Sequence, residues 1–543
     1  MSGFRFFSKK KAAGNKLREA RYAGTWYESD KLKLNEQLEE FIQSADGALS
    51  RRSAHAQFLE PPEINGLSAD KDVLAIVSPH AGYMFSGQTA AYAFARARNK
   101  ESKKPNIAKR VFLLGPSHYA GFEGAALSDA TSFETPLGDL PVDKKTVEAL
   151  LDFPLFRYMP EVHRKEHSLE LQLPFIYKAF GPVEIVPVII GQLEDEMEAR
   201  LIAGALKRFL QDGDIIVVSS DFCHVGPRYQ YQPFTKDIKE NVYRLDREAY
   251  TYINALDLEG FFAFRDRTGA TICGFYPLCI LLSLLPENAA SSVLQYATSQ
   301  DSLAEDDDNS VSYMAIGIGV PQAAENRWQS DDMTGGENTA LSPEEKKALL
   351  AVARQMIEAA ASKTAKPKTA ELKKVYPRLA QPRGVFVTLF KKNALCEEGR
   401  ELRGCIGHIW PVRSLVDAVV ENATGAAMRD YRFLPVTSDE LDDLQIEISV
   451  LSPLKRIDSY DEIVIGRDGV VLYGSGSQAV FLPHVAEQFG WNLEQMLTQL
   501  SLKAGLGESA WKQGAKFDIF QAESFEEFGQ EDSKEDEGNA SHN

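Results

Sequence analysis

Cysteine is scarce in this chain. Five occur in 543 residues (Cys223, Cys273, Cys279, Cys396 and Cys405), an odd number with no CxxC pair. That excludes a disulfide framework and points to a reducing compartment, the cytoplasm. Long apolar runs are also missing: the longest, such as PLCILLSLLP, fall short of the roughly 20 residues that cross a bilayer, so no membrane span is expected. The opening MSGFRFFSKKKAAGNKLREAR has neither an apolar stretch nor a small-residue cleavage site, and reads as a basic disordered tail over residues 1–16 rather than a secretory signal. Positive charge is in deficit: 60 Lys and Arg against 78 Asp and Glu leave a net charge of −18. That excludes a general nucleic-acid binder, which needs a basic face to neutralise phosphates. Part of the acidity is local, in DSLAEDDDNS and in an acidic tail over residues 526–543.

What remains is ordinary globular composition, 44% hydrophobic and 25% charged, in a chain too long for one core. Apolar periodicity disappears through QAAENRWQSDDMTGGENTA, so residues 323–341 are expected to link two domains, at 17–322 and 342–525. In the first, β-branched runs (DVLAIVSPHAGY, RVFLLGPSHYAG, VEIVPVIIGQ, DIIVVSSDFCH) alternate with helical patterns such as SGQTAAYAFARAR. This alternation predicts an α/β domain, a mostly parallel sheet with helices on both faces. In the second, strands cluster around hairpin-like breaks without regular alternation, which predicts α+β.

Ligands on open α/β sheets bind beyond the carboxyl ends of strands. Here three strands end in chemistry: His80 in VSPHAGY, His118 in GPSHYAG, and Asp221, Cys223 and His224 in SSDFCHVG. Neutral imidazole is the commonest protein metal ligand, and two histidines with one anionic ligand suit iron(II) with open positions. The residues alone leave the anion open among Asp221, Cys223, Glu166, Glu170 and Cys273. On strand alternation Asp221 and Cys223 share one side, with His224 opposite unless the chain turns first. Cys223 reads equally well as a small buried hydrophobe. Cys273 in TICGFYPL opens an apolar helical run, where a thiolate would have a lowered pKa.

The segments SPHAGYMFSG, GPSHYAGFEGAALS, TPLGDLPVD, EHSLELQLPF, SSDFCHVG, TICGFYP and SVSYMAIG, in this order, resemble the Memo family over roughly residues 17–322. The resemblance implies the fold of class III extradiol dioxygenases. It implies metal ligands at His80, His118 and Cys273, an acid/base at His224 with Asp221 orienting or polarising it, and Glu166 and His167 lining the pocket. A thiolate in place of the dioxygenases' carboxylate implies iron(II) first, with copper or zinc as alternatives.

In the second half, QPRGVFVTLF, LRGCIG, DYRFLPVT and LQIEISVLSPL resemble the AMMECR family over roughly residues 342–525, implying an α+β fold of two subdomains. Arg403, Cys405, Asp430 and Arg432 are its candidate site. Cys405 reads as a thiol activated by neighbouring Arg403, or as a buried strand cysteine whose flanking glycines allow close packing. Memo-like and AMMECR-like proteins accompany a radical SAM enzyme in the AmmeMemoRadiSam system. This chain has no CxxxCxxC run, so that enzyme is expected as a partner in trans. Three functions follow as expectations: an iron-dependent redox protein acting on a small or protein-bound substrate, a non-catalytic metal-binding or interaction module, and a zinc-type hydrolase.

Overall fold

The computed structural model describes residues 16–51, 71–98, 108–153, 155–302, 308–321, 328, 340–362, 364, 369–392, 399–411, 414–474 and 477–527. All but Lys16 of the expected basic tail, most of the linker, the acidic tail beyond Glu527, the acidic loop around 303–307 and Cys396 lie outside these residues. The chain divides into two compact units between Gln329 and Ser330.

The first unit is built on a nine-stranded sheet. Its strands are β1 (Lys71–Ser78), β2 (Arg110–Pro116), β3 (Ala125–Leu127), β4 (Phe156–Tyr158), β5 (Glu184–Ile190), β6 (Ile215–Ser219), β7 (His224–Val225), β8 (Ala290–Thr298) and β9 (Ser310–Pro321). They lie in the order β7-β9-β1-β6-β2-β5-β3-β4, with β8 also paired to β9. The four central strands, β1, β6, β2 and β5, run parallel, as the strand–helix alternation predicts. Their residues are buried almost without interruption, which is why they read as continuous apolar runs rather than alternating ones. The flanking strands make the sheet mixed. β8 pairs antiparallel with β9, and β9 is antiparallel to β1.

Two groups of helices cover this sheet. α1 (Lys31–Arg51) packs on α2 (Tyr83–Ala97), which lies against β1, β8 and β9 and touches α3 (Leu173–Phe180). α4 (Glu196–Lys207), α6 (Leu258–Thr268) and α7 (Phe275–Leu284) pack together, with α7 against β2 and β6. α5 (Ile238–Asn254) lies against β8 and β9. The parallel core brings the carboxyl ends of β1, β6 and β2 to one edge, side by side. The residues that follow them are Pro79-His80, Ser220-Asp221 and Ser117-His118.

The second unit is α+β with two cores. One sheet has the order β11-β10-β12-β17, from β10 (Val385–Lys392), β11 (Arg400–His408), β12 (Leu444–Leu451) and β17 (Ala522–Glu526). Helices α8 (Pro343–Ser362) and α9 (Leu415–Met428) cover it. The other has the order β13-β16-β14-β15, from β13 (Lys455–Ile457), β14 (Gly469–Gly474), β15 (Ser477–Phe481) and β16 (Lys516–Phe520), with α10 (Leu493–Lys503) on it. On β10, Val385, Val387 and Leu389 enter the first core while Thr388 alternates to the opposite face, beside Cys405 of β11 and Glu447 of β12.

Candidate metal centre

His80, His118 and Cys273 meet at the carboxyl edge of the parallel core, with one ligand atom from each within 4.8 Å of the others. A second group, His118, Glu166 and His167, meets the same distance criterion. The hydrogen bonds around each ring assign its free nitrogen.

The Nδ1 of His80 lies 2.9 Å from Ser219 Oγ. That hydroxyl already donates to the Ser168 carbonyl at 2.5 Å and accepts from Gln172 Nε2 at 3.0 Å. Its one proton is used, so it accepts from His80, and Nδ1 carries the ring proton. The Nε2 of His80 is then a bare lone pair, buried and without a hydrogen-bond partner among the described residues. A buried polar atom left unpaired is costly, and here it faces the other candidate ligands. Burial, with His118 adding to it, holds the His80 pKa well below the ordinary range, so the ring is neutral.

His118 is fixed from the opposite direction. Glu166 accepts its Nδ1 proton at 2.8 Å and its backbone N–H at 2.6 Å. The same carboxylate accepts the backbone N–H groups of His167 and Ser168 at 3.0 Å each. Burial works against the charge of Glu166, but these donors and the attraction of His118 and His167 outweigh it and hold the carboxyl at about 2. With both oxygens occupied, Glu166 orients His118 rather than offering itself as the anion. His167 stacks on His118, with ring centroids 4.4 Å apart, and burial beside His80 and His118 lowers its pKa to about 2.

Cys273 sits one residue before Gly274, the cap of α7. The helix-terminus argument predicts a lowered thiol pKa; the structure gives the reverse. Burial first, then the carboxylates of Asp221 and Glu166, push it well above the usual value, so without a cation the thiol stays protonated. Its Sγ lies 3.6 Å from His224 Nε2. The Nδ1 of His224 faces two carbonyl acceptors, Phe222 at 3.0 Å and Thr271 at 3.3 Å, so Nδ1 carries the proton and Nε2 is the basic atom.

The turn at 220–224 corrects the alternation reading. β6 ends at Ser219 and the backbone rotates, so Asp221 and His224 face the site together while Cys223 points away, fully buried against Asp246. Burial and Asp246 raise the Cys223 thiol well above its ordinary pKa. The two carbonyls hold His224 Nδ1, so Asp221 acts on His224 through its charge, which raises the ring's pKa against the effect of burial. Asp221 Oδ1 accepts the His80 backbone N–H at 2.7 Å, and Oδ2 stands 4.0 Å from His80 Nε2. Burial raises the Asp221 pKa, with His224 and the His80 N–H opposing. Glu170 lies outside the site, in a buried ion pair with Arg18.

A profile of the family described as Memo-like protein matches residues 18–317, and one described as AMMECR1 matches residues 350–525. The chain belongs to the Memo-like family. It is similar to Protein MEMO1 of Rattus norvegicus, 32% identical over 318 residues that span 56% of this chain and 97% of that one. The Homo sapiens Protein MEMO1 matches with the same identity and coverage. Protein memo-1 homolog of Caenorhabditis elegans is 33% identical over 277 residues, 50% of this chain and 71% of that one. Among solved structures, an uncharacterized protein PH0010 from Pyrococcus horikoshii is 34% identical, covers 34% of this chain and 93% of its own, and has a TM-score of 0.32. The Memo-like unit thus carries an extradiol dioxygenase-like fold, joined in one chain to an AMMECR1 region.

Sequence reasoning missed the wall of the Memo-like site. Tyr22 and Trp26 pack on His167 with ring centroids 5.8 and 4.5 Å away, and Tyr119 adds a third ring at 5.6 Å. Their segment is anchored by Arg18, which reaches Glu170 and donates to the carbonyls of His163 at 3.0 Å and Glu166 at 2.7 Å. Nothing in ARYAGTWYES signals this, because the anchoring partners lie about 150 residues away. Ser219 and Gln172 were equally silent, although the SS and ELQLPF runs that hold them are part of the resemblance.

In the AMMECR1 region the four singled-out residues cluster, but not around an activated thiol. Arg403 turns away from Cys405 to a two-pronged pair with Glu440, both contacts at 3.0 Å. Asp430 accepts the Cys405 backbone N–H at 2.9 Å and pairs with Arg432 at 2.7 Å, while Arg432 donates to the Cys405 carbonyl at 3.3 Å. β11 is the edge of its sheet, so Asp430 and Arg432 occupy the N–H and C=O that a neighbouring strand would take. The Cys405 thiol faces Thr388 Oγ1 at 3.3 Å, and burial raises its pKa despite Thr388 and Arg432. Arg403 therefore faces Glu440, and the thiol's own neighbours are Thr388 and Arg432.

Among the described residues no helix is long and apolar enough to cross a membrane.

Proposed function

We propose that the Memo-like unit is a metal-dependent redox centre of the extradiol-dioxygenase type, with iron(II) held by His80, His118 and Cys273. The observation that carries this reading is the bare, buried Nε2 of His80, fixed by Ser219 and facing two other donors. An imidazole whose other nitrogen is hydrogen-bonded to the protein is the usual dress of a metal-ligating histidine, and both histidines wear it. When bound, iron(II) with open positions supplies a site where an organic substrate and an oxidant meet.

The chain's own residues supply the rest. His224 Nε2, 3.6 Å from Cys273 Sγ, is placed to take the thiol proton as the sulfur becomes an anionic ligand. The same atom serves afterwards as acid and base toward a substrate. Asp221, buried with its Oδ2 4.0 Å from His80 Nε2, holds the His80 backbone and adds negative charge that favours a cation. Tyr22, Trp26 and Tyr119 form an apolar wall for a small or protein-bound substrate. The protein acts in the reducing cytoplasm with a radical SAM partner in trans, a setting supported by the fused AMMECR1 region and by the free cysteines among the described residues.

The soft sulfur donor also favours zinc, which would make the site a hydrolase with a metal-activated water and His224 as its base. Metal analysis of protein purified without oxygen decides between them. About one iron per chain in wild type and in Cys223→Ala, with loss in Cys273→Ala, supports the redox reading. Stoichiometric zinc supports the hydrolase, and wild type free of any metal sinks both.

A further inference from the structure

Asp246 is a fully buried carboxylate in the middle of α5, with no ion-pair partner among the described residues. An uncompensated buried carboxyl is among the costliest groups to place in a core. Contacts from Tyr296, Cys223 and Ser312 account for its place. Oδ2 accepts the Tyr296 hydroxyl of β8 at 2.8 Å, and Oδ1 accepts the Cys223 backbone N–H at 3.3 Å. The Cys223 side chain also points toward it, which is why Asp246 raises that thiol's pKa. Burial lifts the Asp246 pKa to about 6, with Ser312, Cys223 and Tyr296 opposing.

Cys223 is the joint where the two halves of the site meet. Its carbonyl accepts from Ser312 of β9, through N at 3.1 Å and Oγ at 3.3 Å. It forms an antiparallel bridge with Ile272, the residue just before Cys273. On its other side, His224 and Thr271 tie the same two segments: the His224 N–H donates to Thr271 Oγ1 at 3.0 Å, and that hydroxyl donates to the His224 carbonyl at 2.7 Å. The rotation that turns His224 inward is therefore the rotation that turns Cys223 toward Asp246. Without an acceptor behind it, the Cys223 N–H would be a buried donor with no partner, and the turn would lose its reason to stay rotated.

We propose that Asp246 is the positioning residue of the site: by holding Cys223, it sets the distance between His224 and the Cys273 sulfur and the orientation of both. Asp246 touches neither residue and acts only through the Cys223–Ile272 joint. This rests on the metal-centre reading above.

The test uses the full chain, prepared metal-free and without oxygen, and titrated with cobalt(II) as the probe. Wild type is compared with Asp246→Asn, which is nearly isosteric but cannot accept from both donors with one amide oxygen. The stability control is Tyr250→Phe, which removes a buried hydroxyl contact to Ser291 from the same helix. Asp246→Asn is expected to lower cobalt affinity about tenfold or more and to shift or weaken the near-ultraviolet sulfur-to-cobalt band. Tyr250→Phe is expected to lower Tm while leaving both unchanged. The metal-free proteins give a second readout, the rate at which a thiol reagent labels Cys273, identified by peptide mapping. Asp246→Asn is expected to change that rate several-fold while Cys405 reacts as in wild type. The proposal is overturned if Asp246→Asn lowers Tm as Tyr250→Phe does yet keeps the wild-type band, affinity and Cys273 labelling rate. Wild type that takes up no cobalt refutes the metal-centre reading instead, and the labelling rate then still decides the role of Asp246.

Discussion

Glu166 takes both the ring Nδ1 proton and the backbone N–H of His118, at 2.8 and 2.6 Å, and so fixes the imidazole in position and in tautomer at once. Its Oε1 also accepts from His167 and Ser168, so three donors converge on that oxygen and one on Oε2. Replacing it with glutamine turns one of these oxygens into a donor facing donors. Glu166→Gln is expected to weaken metal binding by about 10- to 100-fold with the fold retained. Competition titration against a chromophoric chelator reads the change, and wild-type affinity would refute the orienting role.

Cys273 predicts a proton count. Burial and the carboxylates of Asp221 and Glu166 keep the free thiol protonated, whereas a metal ligand must be thiolate. Binding of zinc(II) at pH 7 should therefore release about one proton per ion, because His80 is already neutral and His224, whose pKa is lowered by burial, passes the thiol proton on to solvent. Calorimetry in buffers of different ionisation enthalpy measures this number. Cys273→Ser should bring it close to zero, since a serine hydroxyl does not ionise in this range. Release of about one proton from the serine variant would place the titrating group elsewhere.

The loop that carries Cys273 depends on a glycine. A Cβ on Gly274 would stand 2.4 Å from Ser220 Cβ, and Gly274 N–H donates to Ser220 Oγ at 3.0 Å, so the loop before α7 presses directly on the turn after β6. Gly274→Ala should push the two apart. The expected cost is about 1–3 kcal/mol of stability, with weaker metal binding because Cys273 is the adjacent residue. Thermal unfolding and metal titration of the same sample separate the two effects. Unchanged values for both would mean that the contact relaxes freely.

The parallel core and its three chemical strand ends were readable because two separate signals coincide. The runs ending at Ser78, Pro116 and Ser219 are apolar through their centres without alternation, as strands buried on both faces must be, and each is followed within a few residues by His or Asp. Cys273 was reachable only through family resemblance, since a thiol before an apolar helix has several ordinary explanations. What stayed hidden is whatever depends on a local rotation or a distant partner. Strand alternation holds only while the backbone is extended, so it failed at 220–224, where Asp221 and His224 turn inward together and Cys223 turns out. Asp246 looked like any charged helix residue, because its burial is decided by β8 and β9, about 50 residues later. Arg403 stands two residues before Cys405, a spacing that alternation puts on one face, but the pairing of β10 with β11 slips between Gly404 and Leu402, and Arg403 leaves for Glu440.

Asp430 supplies a pH test for the AMMECR1 region. Its hydrogen bonds to Arg432 are the main cause that holds the carboxyl at about 2, below the ordinary aspartate value. A folded-state pKa below the unfolded one means that the unfolded chain binds the proton more readily. The stability that Asp430 contributes is therefore complete above the unfolded pKa, near 4, and is lost as the pH falls toward 2. Arg432 is 44% exposed, so solvent screening limits the ion pair to about 1 kcal/mol or less. Asp430→Asn keeps an oxygen for the Cys405 N–H but loses the charge. Its midpoint in urea should lie below that of wild type at pH 6, and the gap should close between pH 4 and pH 2. A gap that persists unchanged to pH 2 would show that the carboxylate works at Cys405 through shape and hydrogen bonding, with no contribution from its charge.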